Sequence, residues 1–195
     1  MITRTKCIID GNSELEHLVT LKSFPVFIGS TTKEIGYDVS SDLVFDICKS
    51  TGLIQLRNLV DLNLVYSEYH SEAIGGTWRS HHNDFSAFVL SNIKSKNKIV
   101  EFGGGNGLLS NLILTNRRDL GYTLIEPNPS NYYNNMCKLI IGNIEDNIAE
   151  VQNSNVLIHS HTFEHITNPL ETMEMISKSQ NEGDLMIFSI PNLRY

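Results

Sequence analysis

From Lys98 onward, apolar and polar positions fall into short alternating blocks. Lys98-Ile99-Val100 open a buried strand at 98–102. Apolar residues at 108, 109, 112, 113 and 114 mark a helix at 108–116. Further strands are predicted at 121–125, 138–142, 155–160 and 184–190, and further helices around 130–136 and at 170–179. This alternation implies a doubly wound parallel sheet with helices on both faces, binding ligands beyond the carboxyl ends of its strands. Upstream, 61–97 reads as helical: Trp78, His82, Phe85, Phe88 and Val89 recur on one helical face, and Thr77 or Gly76 is placed to cap the start of that helix. Residues 1 to about 60 differ. They carry β-type runs at 24–28, 43–47 and 53–56, with turn residues at Gly29-Ser30 and Ser40-Ser41-Asp42. The organisation predicted is a small β-rich module (1–60), a helical linker (61–97) and an α/β domain (98–195).

Between the first strand and helix of the α/β domain lies Glu101-Phe102-Gly103-Gly104-Gly105-Asn106-Gly107. A strand that breaks into glycines and re-enters a helix brings bare backbone N–H groups close to a ligand. The acid at the strand end and the G-x-G-x-G spacing fit the loop that cradles S-adenosylmethionine (SAM) in methyltransferases. The dinucleotide fingerprint instead wants G-x-G-x-x-G. Here the third glycine falls one residue early, at Gly107, and Leu108 occupies the last place. Taken alone, such a loop serves equally well as a tight turn.

The other strand ends change that balance. Glu126, at the tip of the second strand, is placed to accept ribose hydroxyls, a role that serves SAM and NAD alike. After the third strand, Asn143 offers an amide to an adenine ring and Ile144 an apolar wall, although a plain polar loop reads as well there. The fourth strand runs into His159-Ser160-His161-Thr162-Phe163-Glu164-His165. Imidazoles there can take a proton near neutral pH, and any one of them can equally be a hydrogen-bonded structural group. His161 to His165 also matches the H-x-x-E-H pattern of zinc proteases. That pattern needs a long helix, and Pro169 follows too soon.

Composition narrows the partners. The net charge of −7 over 195 residues, with no Lys/Arg run, argues against a broad nucleic-acid footprint. No stretch approaches the ~18 apolar residues of a membrane span. The N-terminus has no apolar h-region. Three cysteines are too few for a disulfide scaffold, which makes a reducing cytoplasm the expected setting.

Together these features resemble the SAM-dependent methyltransferases of bacterial sugar and surface-polysaccharide pathways, and in particular the group with an N-terminal zinc-binding module. The glycine loop is followed by Ile125-Glu126-Pro127. Ser160-His161-Thr162-Phe163-Glu164-His165-Ile166 is similar to the family's S-H-x-x-E-H stretch. Ile190-Pro191-Asn192 resembles the P-N that closes the fifth strand, and the 66–71 stretch, Trp78 and His81 resemble its tyrosine-rich linker and W-x-x-H. The resemblance implies a Rossmann-like SAM methyltransferase fold, with SAM as cofactor and S-adenosylhomocysteine (SAH) as product. It makes Glu101, Gly103, Gly105, Asn106, Gly107, Glu126, Pro127, Asn143, Ile144 and Ser160 the candidate cofactor-binding residues. His165 is the first choice as general base, followed by His161 and Tyr69.

Three departures bear on function. The family holds zinc with C-x-x-C pairs, and here these read Cys7-Ile8-Ile9-Asp10 and Cys48-Lys49-Ser50-Thr51. A structural zinc site wants four N or S ligands, so the module is expected to keep its fold without a metal. The family sheet usually has two more strands beyond the point where this chain stops. The expectation is either a truncated product or an edge covered by something else. Bases used for sugar C-methylation lie in that missing half, which leaves O-methylation of a small polar acceptor, nucleotide-linked or phosphoramidate, in front. The alternatives are a non-catalytic subunit of the same fold and an NAD-dependent oxidoreductase. DNA amino-methylation is disfavoured, because His161-Thr162-Phe163-Glu164 stands where an Asn/Asp-Pro-Pro-aromatic loop is needed.

Overall fold

The computed structural model of the chain describes residues 2–27, 34, 36–65, 75–129 and 136–192. The chain divides into two compact units, Met1–Ser71 and Glu72–Tyr195.

The first unit is antiparallel. Strands β2 (Leu15–Pro25), β3 (Ser40–Cys48) and β4 (Ile54–Leu56) form one sheet in that order, and β1 (Ile2–Thr3) pairs with β5 (Asn58–Leu59). A short helix, α1 (Leu62–Val65), follows. The length of β2 was not visible in the pattern, because its side chains are mostly exposed and no alternation marks a buried face. Two polar side chains are buried with their partners. Asp46 receives a two-pronged hydrogen bond from Arg57. Gln55 accepts the Ile8 N–H at 3.1 Å and donates to the Lys6 carbonyl at 2.9 Å, clamping the segment around Cys7 to β4.

The second unit is a five-stranded parallel sheet in the order β10-β9-β6-β7-β8. Its elements are α2 (Gly76–Asn92), β6 (Lys98–Phe102), α3 (Leu108–Asn116), β7 (Gly121–Glu126), β8 (Lys138–Ile141), α4 (Ile148–Gln152), β9 (Val156–Ser160), α5 (Pro169–Ser179) and β10 (Leu185–Ser189). The strands and α3 fall where the hydrophobic blocks put them. The predicted helix around 130–136 lies almost wholly outside the described residues. The helical stretch 61–97 resolves into α1 and α2, with 66–74 outside the described residues. Gly75 is the N-cap of α2, with φ of 144°, a backbone that glycine tolerates. The short α4 carries too few residues to show a period.

Two apolar clusters form the core of this unit. One contains Phe85, Val89, Ile99, Leu109, Ile113 and Leu124. The other contains Val100, Phe102, Ile125, Ile144, Leu157 and Ile176. Ile99 and Val100 alternate between them, as successive residues of a strand covered on both faces must. Among the described residues, no helix is long and apolar enough to cross a membrane. Ile113 is fully buried on α3. Replacing it by Ala removes three buried carbons and leaves a cavity. Ile113→Ala is expected to lower unfolding free energy by about 2–5 kcal/mol in urea titration, with little change in slope.

Candidate functional site

Parallel register lines up the carboxyl ends of the strands. Phe102 lies opposite Ile125, Glu126 opposite Ile141, Glu101 opposite Ile158, and Ser189 opposite Ser160. Consequently the glycine loop leaves β6 directly beside Glu126 on one side and the 159–165 segment on the other. The Gly103 N–H continues the ladder to the Ile125 carbonyl at 2.9 Å.

The loop is built by close approach. Gly103 has φ of 68°, and a Cβ there would strike the Thr162 side chain. A Cβ on Gly104 would strike Leu124 and Glu101. Gly105, with φ of 54°, has nothing within 4 Å of its Cβ direction, so the backbone is open on that side. Gly107 caps α3 in the left-handed conformation, and Asn106 Oδ1 accepts the Leu108 N–H at 3.0 Å. The Gly105 N–H donates to Glu126 Oε2 at 2.9 Å, and the Asn128 N–H to Glu126 Oε1 at 3.0 Å. Each carboxylate oxygen retains a lone pair after those bonds. Pro127 follows as an exposed residue.

Behind the loop, Glu101 is buried and accepts the Tyr122 hydroxyl at 2.7 Å. Burial pushes its carboxyl up to about 7, the hydrogen bond from Tyr122 opposes this, and the nearby Glu126 adds to it. At the third strand end, Asn143 is exposed and its carbonyl accepts the Asn147 side chain at 2.8 Å. Ile144 is packed into the second apolar cluster, at 4% exposure.

The fourth strand end gathers a polar and aromatic group. His161 has φ of 51°, and its ring stands edge-on to both Trp78 and His81, each with centroids 4.9 Å away. Its Nδ1 lies 3.7 Å from Glu164 Oε1. His81 Nε2 is 2.9 Å from Ser160 Oγ, which is 2.8 Å from Ser189 Oγ. Burial lowers the affinity of His81 for a proton, the neighbouring His161 lowers it further, and Asp84 partly offsets both. His82 is lowered likewise, first by burial and then by His81 and His161. Thr162 donates to the Gly103 carbonyl at 3.2 Å, tying this segment to the loop. His159 is buried among Phe102, Phe163 and Phe188, and that burial holds its imidazole down at about 4.

Phe163–His165 is a single 3-10 turn. His161 and His165 therefore do not share a helical face as a zinc-protease pair would. His165 is exposed on that turn. Tyr69 lies outside the described residues. The sequence reading did not single out Thr162 or Ser189. Thr162 carried a signal, because any residue following a fourth strand meets a loop leaving the first. Ser189 carried none beyond its place at a strand end.

The sequence model of a family described as "Methyltransferase domain" matches residues 73–195, more than half of the chain. No curated protein matches the chain. Among solved structures, the chain is similar to the plantazolicin methyltransferase BpumL in complex with a monoazolic desmethylPZN analog and SAH. That match has 19% identity and a TM-score of 0.40, covering 53% of this chain and 42% of the other. It is also similar to coclaurine N-methyltransferase bound to N-methylheliamine and SAH, at 11% identity and TM-score 0.46, covering 62% and 38%. A third is the mitomycin 7-O-methyltransferase MmcR, at 16% identity and TM-score 0.42, covering 59% and 38%. The chain thus spans less than half the length of each.

The Glu101 environment sets a pH dependence. The folded protein keeps the Glu101 proton up to about 7, whereas an unfolded chain releases it near the ordinary carboxylate value of 4.5. Between those values the folded state binds more protons, so this group's contribution to stability falls as pH rises, by on the order of 3 kcal/mol in all. Glu101→Gln removes the titration. Its stability relative to the parent should climb from pH 4.5 to pH 8 in denaturant titrations. A difference that stays flat with pH would rule out a buried, proton-holding Glu101.

Proposed function

The chain belongs to the methyltransferase-domain family, and from that premise we propose that it moves a methyl group from SAM to an oxygen of a small polar acceptor, a nucleotide-linked or phosphoramidate precursor of surface polysaccharide. The observation that carries the reading is the Gly105–Glu126 hydrogen bond. It fixes the open loop backbone at Gly105 beside a carboxylate that still has lone pairs for a ribose.

The residues present fit such a donor. The open backbone at Gly105 leaves room for its amino-acid end, and Glu126 can accept ribose hydroxyls beside it. Asn143 is exposed at the next strand end, where an amide can meet an adenine edge. SAM supplies an electrophilic methyl group that transfers in a single displacement. The protein's task is then to hold acceptor oxygen and methyl carbon in near-attack geometry.

His161 is the general base in this proposal, ahead of His165. It sits where the 159–165 segment is tied to the glycine loop through Thr162, with Glu164 Oε1 3.7 Å from its Nδ1. Trp78 and His81 pack against its ring and restrict its orientation. An acceptor oxygen that is already anionic needs no base, and there His161 would serve only to position it.

Incubating the protein with methyl-labelled SAM and a panel of nucleotide-linked sugars and phosphoramidates tests the reading directly. Label should move to one acceptor class. His161→Ala should lower kcat by about 10²–10⁴-fold while SAH still binds, and His165→Ala should change it little. SAH binding with no transfer to any acceptor would favour a non-catalytic subunit.

A further inference from the structure

One face of the first unit's three-stranded sheet is apolar. Register shifts interrupt β2 between His17 and Val19 and between Leu21 and Phe24. They set Val19 opposite Phe45, Leu21 opposite Leu43 and Phe24 opposite Ser41. The face continues onto β4, with Leu56 opposite Phe45 and Ile54 opposite Ile47. Residues opposite one another point to the same side of a sheet, and alternate residues along a strand share that side. Eight large apolar side chains therefore stand together. The other side carries His17, Asp46 and Gln55, and Gln55 ties the Cys7 segment to it.

This apolar face is largely open. Val19, Leu21, Phe24 and Ile54 are between 42% and 53% exposed. Among the described residues of the first unit, Cys7 and Cys48 are the only buried apolar side chains, and every buried aliphatic or aromatic one belongs to the second unit. A sheet is stable when its apolar face packs on another layer, and a unit this small has little else to hold it together.

We infer that this face is a self-association surface, on which two copies of the chain stack their sheets about a two-fold axis and complete a β-sandwich. A two-fold contact uses the same patch on both partners, so the patch must be complementary to itself. This one is. Its rim charges are already paired, Lys49 with Glu16 at 3.2 Å and Lys22 with Asp42 at 2.6 Å, so these four side chains bring no net charge to the contact. An anionic membrane or a nucleic acid would need a basic rim instead. Three strands about 4.8 Å apart and about 20 Å long bury roughly 800–1,000 Å² in all when two such faces stack, the low end of specific interfaces. The dimer is then of micromolar strength and exchanges with monomer. Each chain carries a net charge of −7, so long-range repulsion opposes association and added salt strengthens it.

The test is sedimentation velocity of the full chain from about 1 to about 200 μM. Monomer should give way to dimer, at lower concentration as salt rises from about 50 to about 500 mM. Leu21→Lys puts a charge inside the face and should weaken association by at least about tenfold. His17→Lys adds the same charge on the opposite side of the same strand and should leave association within about twofold. Leu21→Thr keeps a strand-forming side chain, so it should give an intermediate loss even if the lysine variant misfolds. A chain that stays monomeric throughout overturns the inference, whether or not it binds vesicles or other proteins. So does a dimer that Leu21→Lys and Leu21→Thr both leave unchanged, that His17→Lys weakens as much as Leu21→Lys does, or that salt dissociates.

Discussion

The carboxylate of Glu126 holds the second unit's candidate site together. It receives the N–H of Gly105 from one strand end and the N–H of Asn128 from its own. Bonds from backbone amides to a charged, buried acceptor are stronger than neutral ones. They turn a glycine loop that would otherwise be loose into a fixed surface. The arrangement depends on register. Because Phe102 stands opposite Ile125, the loop begins where Glu126 ends its strand. A slip by one residue would send Glu126 to the other side of the sheet.

A second acid lies directly behind the first. Glu101 is deeper, bonded to Tyr122, and its protonated form is favoured by burial and by the charge of Glu126. Burial, opposed by the Tyr122 hydrogen bond and reinforced by Glu126, thus raises the Glu101 carboxyl to about 7 through its environment rather than its residue type. On the far side of the loop, Thr162 donates to the Gly103 carbonyl, so the histidine segment and the loop are mechanically one piece.

Much of this was legible in the sequence, for stated reasons. The five strands and α3 were visible because buried parallel strands read as compact apolar runs, and Leu108 to Leu114 keeps a helical period. Gly103 to Gly107 and Glu126 were readable because bare backbone and an acid at consecutive strand ends are a spacing that chemistry demands. The strand Leu15–Pro25 was hidden by its exposure. The gathering of Trp78, His81 and His161 was hidden because it joins a helix to a strand end some eighty residues away.

The central claim is that the crevice between the glycine loop and Glu126 takes an adenosyl sulfonium donor or its product. Isothermal titration of the protein with SAH and, separately, with NAD tests it most directly. The account predicts saturable binding of one SAH per chain and far weaker binding of NAD. No heat with SAH, or tighter binding of NAD, would contradict it.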